Sequence, residues 1–279
     1  MKDRKFDVII IAGQSNAEGN GMRKPEEGEI INSKVIHMID KNPYFYAKNE
    51  EGVEMLNLTF PVETVIEVAH ERKAGDMVAA DFSETFADCY IRAGMLEEGR
   101  DILIVKTAIG GAGFARKQWG VGNPVSDRFF AMVDEALSLN KDNRIVALLW
   151  HQGEHDAFEN DGISKRERYD FYRENFYNQM KAARDRYSDF NFPIIAGQFV
   201  KTWQWGLGKD NAERIEAIYS ATEDALNALG YSGYVNSDGL TSNDTDIKNG
   251  DDIHFSAKSV RELGKRYFKV YEELVRGNK

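Results

Sequence analysis

An α/β fold is predicted: a three-layer α/β/α sandwich around a central, mainly parallel sheet of roughly five strands. Three observations predict it. Short apolar runs rich in β-branched residues show no polar alternation, which suits parallel strands buried on both faces. These runs alternate with longer segments whose apolar residues recur every three or four positions, so the chain reads as successive βαβ units. The 279 residues are 42% hydrophobic. That is enough for a sizeable core and lies at the upper end of one domain, so residues 1–279 are expected to form a single domain.

The first strand is expected at residues 6–12, at the start of DVIIIAGQSNAEG, and a second at 35–39. Three more follow at 102–107 (ILIVKT), 145–150 (IVALLW) and 193–199 (PIIAGQF). A helix is expected at 79–98, where Phe82, Phe86, Tyr90 and Ala93 share one face. Further helices are expected at 127–139, 165–187, 211–229 and 256–276. The last has Ser256 as N-cap and Glu262 and Arg266 as an i,i+4 pair. The stretches 40–78, 109–124, 155–164, 201–210 and 237–253 are irregular. Ligands of an open parallel sheet bind where loops leave the carboxyl ends of strands, so these loops are expected to wall the site.

The formal net charge is −10, from 36 basic and 46 acidic residues, with no basic cluster. This argues against nucleic acid or an anionic membrane as partner. One cysteine, Cys89, excludes an intrachain disulfide and reads as a small core residue. No apolar run is long enough to span a bilayer. The opening residues lead directly into the first strand without an h-region or cleavage site, so a cytoplasmic protein is expected. A leader removed beforehand would make it secreted or periplasmic instead.

Four polar segments carry the chemistry. Ser15 directly follows the first strand, at the start of a helix, where free backbone N–H groups and a positive dipole end could hold a phosphate or stabilise an oxyanion. The same residues also read as an N-cap, with Glu18 completing a capping box. Near the C-terminus, Asp251 precedes His254 by three. In a turn its carboxylate can reach Nδ1 and leave Nε2 free to take a proton, though a plain loop histidine has the same pattern. Gln152, at the end of IVALLWHQGEHD, offers an amide with two N–H donors. There His151 and His155 flank Glu154 and invite a metal reading. The order is not H-E-x-x-H, however, Gly153 interrupts a helix between them, and no third ligand is evident. Gly110 and Gly111, after ILIVKT, would let backbone N–H groups approach a ligand or would simply form a βα turn. Without G-x-G-x-x-G or a P-loop lysine, nucleotide binding is unsupported. All four segments should meet at one edge of one sheet. Together they supply a nucleophile, a base with its orienting acid, and oxyanion donors, the inventory for acyl transfer.

With GQSN at the first strand, GG after a middle strand, HQGE after the next and DxxH before the last helix, the chain resembles the SGNH hydrolases. Within them it is similar to the carbohydrate esterases related to sialate O-acetylesterases and acetylxylan esterases. The blocks span residues 13–255. The resemblance implies a flavodoxin-like SGNH hydrolase fold and ester hydrolysis without metal or organic cofactor. It implies Ser15 as nucleophile, His254 as general base and then acid, and Asp251 as the group that orients His254. The oxyanion hole would combine the N–H of Ser15, the N–H of Gly110 or Gly111, and the side chain of Gln152 in place of the wider group's Asn. Gln14 and Asn16 would frame the serine, and Glu154 would brace the 13–16 turn by accepting N–H bonds. One departure is Ala17, where many members have Met; it alters packing beneath the serine. The α/β-hydrolase fold fits poorly. Its nucleophile sits in G-x-S-x-G with several strands before it, and here the run is G-Q-S-N-A after one strand.

The resemblance points to O-acetyl groups on sugars, a small-molecule or oligosaccharide acyl ester. Tyr44, Phe45, Tyr46, Trp119, Trp203 and Trp205 lie in the loops, where they either stack on sugar faces or pack the loops themselves. Trp203 and Trp205 are the leading candidates for substrate contact. Arg116 and Lys117 are placed to meet an acidic sugar. The competing readings are a non-catalytic sugar-binding module on the same fold, an esterase or thioesterase for a non-sugar acyl group, and a metal-dependent hydrolase built on His151, Glu154 and His155.

Overall fold

Strand β1 (Lys5–Gly13) is the middle of a seven-stranded sheet. The order is β12 (Ser232–Val235), β11 (Ile194–Gly197), β10 (Arg144–His151), β1, β9 (Arg100–Lys106), β3 (Val35–Asp40) and β6 (Thr64–Val68). This computed structural model describes residues 4–24, 32–42, 44–52, 54–159, 162–201, 203 and 209–277, with backbone alone at 209 and 210. Every pairing is parallel except β3 with β6. The five strands expected from apolar runs are β1, β3, β9, β10 and β11, so the mainly parallel sheet is as anticipated. The two additional strands are the edges. β12 is short and carries Gly233, where a Cβ would meet Val270 Cγ1 at 2.2 Å. β6 leaves Val65 and Val68 exposed, so it lacks the continuous buried run that marks a central strand.

The long helices are α2 (Phe82–Arg92), α3 (Pro124–Ser138), α5 (Lys165–Arg186), α6 (Lys209–Leu229) and α8 (Ala257–Gly277). Short turns form α1 (Ser15–Glu18), α4 (Glu154–Phe158) and α7 (Asn243–Ile247). Adjacent residues of β10 show the two faces of the sheet. Trp150 packs against Trp119, Phe114 and Phe176 on one side. His151 packs on the other against Phe82 of α2, which stacks at 4.5 Å on Tyr267 of α8. Gly264 lets α8 approach α2, since a Cβ there would lie 2.4 Å from the Phe82 carbonyl oxygen. Ser256 caps α8 by accepting from the Ser259 N–H, and the Glu262–Arg266 pair forms at 3.7 Å.

Two expectations shift. The helix expected from residue 79 begins at Phe82, because Asp81 accepts from the Ser83 N–H and caps it there. Residues 77–80 instead form β8 (Met77–Ala80), which pairs with β2 (Gly21–Arg23) and β7 (Arg72–Ala74). The stretch 40–78 is also not irregular throughout: β4 (Phe45–Lys48) and β5 (Glu54–Asn57) make a hairpin beside the main sheet. These strands have three or four residues each, too few to show a period.

Candidate active site

Gly13 ends β1 at φ +132°, and a Cβ there would sit 2.0 Å from the His151 carbonyl oxygen. Only glycine tolerates this approach to β10. It lets the Gln14 N–H bond the His151 carbonyl at 2.9 Å, so the chain turns at once into α1. Gln14 is therefore the N-cap and Ser15 the first helical residue. The capping-box reading of Ser15 and Glu18 does not hold, because the Glu18 carboxylate binds the Tyr44 hydroxyl at 2.8 and 2.9 Å. Among the described residues, the Ser15 hydroxyl and its own N–H have no hydrogen-bond partner.

Ser15 opens onto a cavity of about 370 Å³. Gln14, Glu18, Gly110, Gly111, Glu154 and His254 also line it. His254 reaches it from the loop before α8. Its Nδ1 lies 2.9 and 3.0 Å from the two Asp251 oxygens, and its backbone N–H donates to Asp251 Oδ1 at 3.1 Å. Burial alone would raise the Asp251 carboxyl, but hydrogen bonds from His254 and Asn243 outweigh it and hold the group below its ordinary value. Asp251 is thus an ionised acceptor, which assigns the proton to Nδ1 and leaves Nε2 to act as a base. No hydrogen bond links Ser15 Oγ and His254 Nε2 in this state; catalytic contacts often tighten only with substrate bound.

Asn243, which the sequence reading passed over, organises this loop. Its Nδ2 donates to Asp251 Oδ2 and to the Asn20 carbonyl, each at 2.8 Å, and its Oδ1 accepts from the Met22 N–H. Asn16 ties the serine turn to the same loop. Its Oδ1 accepts from the Phe255 N–H at 3.1 Å, and its Nδ2 donates to Glu154 Oε1 at 2.7 Å and to the Ile253 carbonyl. Glu154 is fully buried and braces the turn through the Asn16 side chain. Its Oε2 has no partner among the described residues, and burial raises its carboxyl to about 6.

The amides of the two glutamines differ in what they face. The Gln152 Nε2 faces Asp156 Oδ2 at 2.5 Å, the Ala112 carbonyl at 3.2 Å and Gln14 Oε1 at 3.3 Å. Its Oε1 accepts from the Tyr172 hydroxyl. Every polar position of Gln152 has a partner inside the protein. Asp156, beyond the HQGE block, also accepts from the N–H groups of Phe114 and Ala115. Gln14 Oε1 accepts from Gln152 Nε2 and from the Gly153 and His155 N–H groups, at 3.3, 3.3 and 3.2 Å. Two backbone donors fix which end of the amide is oxygen. The Gln14 Nε2 has no acceptor among the described residues, and Gln14 lines the cavity.

The glycine pair also separates. The Gly110 N–H is bound by the Tyr44 hydroxyl at 2.9 Å, whereas the Gly111 N–H has no acceptor among the described residues. The metal reading fails on geometry. His151 turns its Nδ1 to Tyr267 on the α8 face, and His155 pairs with Glu159 at 3.0 Å. Burial lowers His151 to about 3, so it stays neutral. Of the aromatics, Trp119 is buried, its Nε1–H spent on the Gly13 carbonyl, and Trp203 is buried against Phe199; neither can stack on a substrate. Trp205 lies outside the described residues. Arg116 pairs with both Glu54 and Glu159 and, with Lys117, lines a neighbouring cavity instead.

The seven-stranded α/β sheet, with Ser15 and His254 on one cavity at its edge, is compatible with a carbohydrate esterase. The family model described as carbohydrate esterase, sialic acid-specific acetylesterase, matches residues 5–273. The chain belongs to that family and is a carboxylic ester hydrolase acting on carbohydrate O-acetyl esters. Solved structures share the fold. NanS aligns with a TM-score of 0.71 at 19% identity over 99% of both chains. An Arabidopsis thaliana protein aligns with a TM-score of 0.61 at 17% identity, over 96% of this chain and 98% of its own. A carbohydrate acetylesterase from Xanthomonas citri gives 0.57 at 20% identity, over 97% of this chain and 56% of its own. No curated protein matches the chain in sequence. Among the described residues, no helix is long and apolar enough to cross a membrane.

Proposed function

We propose that the chain removes O-acetyl groups from sugars through an acyl-enzyme on Ser15. The observation that carries this is the Asp251–His254 pair opening onto one cavity with Ser15 and three unspent N–H donors. In this reading His254 Nε2 takes the Ser15 proton as Oγ attacks the ester carbonyl. The oxyanion forms against the N–H groups of Ser15 and Gly111 and the Gln14 amide. Collapse expels the sugar alcohol, which takes its proton from His254. Water, deprotonated by the same imidazole, then attacks the acyl carbon and frees the serine. Asp251 stabilises the imidazolium in both halves. The family description, and the carbohydrate acetylesterase from Xanthomonas citri among the fold relatives, support acetyl as the acyl group and a sugar as the alcohol. Phe158, 58% exposed at the cavity wall, offers an apolar face on which a sugar ring can stack, and Glu18 and Asn20 offer polar groups for its hydroxyls.

The test compares wild type with Ser15→Ala on a panel of acetylated sugars and on p-nitrophenyl acetate. Turnover should disappear in the variant while its thermal unfolding is retained, and a fluorophosphonate should label the wild type alone. Undiminished turnover by Ser15→Ala overturns the mechanism.

A further inference from the structure

The hairpin of β4 and β5 reaches under the loop that carries Gly110 and Gly111. Tyr44, just before β4, and Tyr46, within it, meet edge to face with centroids 6.2 Å apart. The Tyr46 hydroxyl donates to the Gly110 carbonyl oxygen at 2.8 Å. The Tyr44 hydroxyl accepts from the Gly110 N–H and gives its own proton to Glu18. Both polar groups of Gly110 are thereby held by tyrosines, and no described backbone group binds either of them.

The Gly110 carbonyl and the Gly111 N–H belong to one trans peptide unit, in which C=O and N–H point in opposite directions. Fixing the oxygen fixes the N–H. A hydrogen bond donated to the carbonyl also polarises the amide and makes the N–H at its other end a better donor. The fit is close: a Cβ at Gly111 would come 3.3 Å from the Tyr46 hydroxyl, and Gly111 adopts φ +71°.

We propose that Tyr46 is a positioning residue for catalysis. By holding and polarising the Gly110–Gly111 peptide, it aims the Gly111 N–H at the oxyanion, while Tyr44 removes the neighbouring N–H from competition. This rests on the reading above, in which Gly111 faces the oxyanion. The hairpin is then a working part of the site, although it contributes no group that touches the reacting atoms.

The experiment measures steady-state kinetics on p-nitrophenyl acetate, and affinity for an alkyl boronic acid that mimics the tetrahedral intermediate, in Tyr46→Phe and in a variant with 3-fluorotyrosine at position 46. For Tyr46→Phe, kcat should fall roughly tenfold with KM little changed, short of the roughly 10²–10³ that removal of a direct donor costs. Boronate affinity should fall by the same factor, and thermal unfolding should stay within about 2 °C. Fluorination makes the phenol a stronger donor. Burial holds the Tyr46 hydroxyl up at about 12, so the fluorinated ring stays protonated at neutral pH. That variant should bind the boronate more tightly than wild type and turn over at least as fast. A Tyr46→Phe enzyme with wild-type kcat and boronate affinity overturns the proposal. So does a fluorotyrosine enzyme whose boronate affinity is unchanged, since a purely packing role ignores donor strength; this arm decides the matter even if Tyr46→Phe folds poorly. Failure of the underlying esterase reading shows separately, as turnover that survives Ser15→Ala.

Discussion

Gln14 and Gln152 carry the same amide at the ends of adjacent parallel strands, and their neighbours decide which one has hydrogen atoms to spare. Sequence alone could not separate them, because Asp156 captures Gln152 through a helical turn and not through a motif position. Gln14→Glu keeps the oxygen that accepts from Gly153, His155 and Gln152 but removes the free donor. Its kcat should fall by roughly 10²–10³ once the introduced carboxyl is ionised, with stability close to wild type. Gln152→Met should instead cost roughly 1–3 kcal/mol of stability, because it strands Asp156 and Tyr172. Kinetics and thermal unfolding of the two variants side by side check the assignment, and the reverse pattern would return the oxyanion role to Gln152. Glu154 invites a pH argument. Its carboxyl is raised to about 6 by burial, whereas the unfolded chain titrates near 4.5, so the native state binds the extra proton between those values. Stability therefore falls as pH rises through that window, by about 2 kcal/mol for this group. The groups around it are Asn16, His151, Asp156 and His254, and His151 Nε2 lies 3.7 Å away with no hydrogen-bond partner among the described residues. Glu154→Gln keeps an oxygen for Asn16, offers an N–H toward His151 and cannot ionise. Its melting temperature relative to wild type should rise between pH 4.5 and 7; a pH-independent difference would refute the burial argument.

The turns that hold the chemistry are set by single residues whose geometry leaves no choice. Gly13→Ala would drive a methyl into the His151 carbonyl, break the β1–β10 junction and displace Ser15. The expected result is a loss of several kcal/mol and of all measurable turnover, read by urea denaturation and acetylesterase assay; a stable, active Gly13→Ala enzyme would contradict the close approach. Legibility followed the same physics. The Asp251–His254 contact and the position of Ser15 just after β1 were legible because local spacing fixes both. The five inner strands were legible because burial on both faces leaves a continuous apolar run. The β4–β5 hairpin was not, since four-residue strands with a half-exposed face carry no period, and Tyr44 and Tyr46 meet Gly110 across more than sixty residues of chain. Trp119 misled for a related reason: a loop position suggests exposure, but this loop folds back and the indole caps the end of β1 from inside.

Across the whole molecule, the two ends of β1 have different work. The carboxyl end carries Gly13 and Ser15. At the amino end, fully buried Asp7 accepts from Arg100 Nε at 2.6 Å, Arg144 Nε at 2.7 Å and the Tyr90 hydroxyl at 2.8 Å, which ties β9, β10 and α2 to the central strand. Six steps of about 3.3 Å along the strand separate Asp7 from Gly13, so the two ends lie about 20 Å apart. Removing the Asp7 charge leaves Arg100, with 8% of its side chain exposed, as an uncompensated buried cation, while Arg144, at 36%, can turn to water. Losing one partner of a buried pair costs about 3–5 kcal/mol, because the stranded charge is desolvated without an opposing one. Asp7→Asn should therefore unfold at clearly lower urea. The rate per folded molecule should stay at the wild-type value, because the rest of β1 and its ladders to β9 and β10 still deliver Ser15 to the same place. Active-site titration with a fluorophosphonate counts the competent molecules, so turnover divided by titrated sites tests the separation directly. If that ratio fell with stability, the amino-edge ion pairs would be shaping the serine turn along the length of β1, and the division of the strand into a holding end and a reacting end would be wrong.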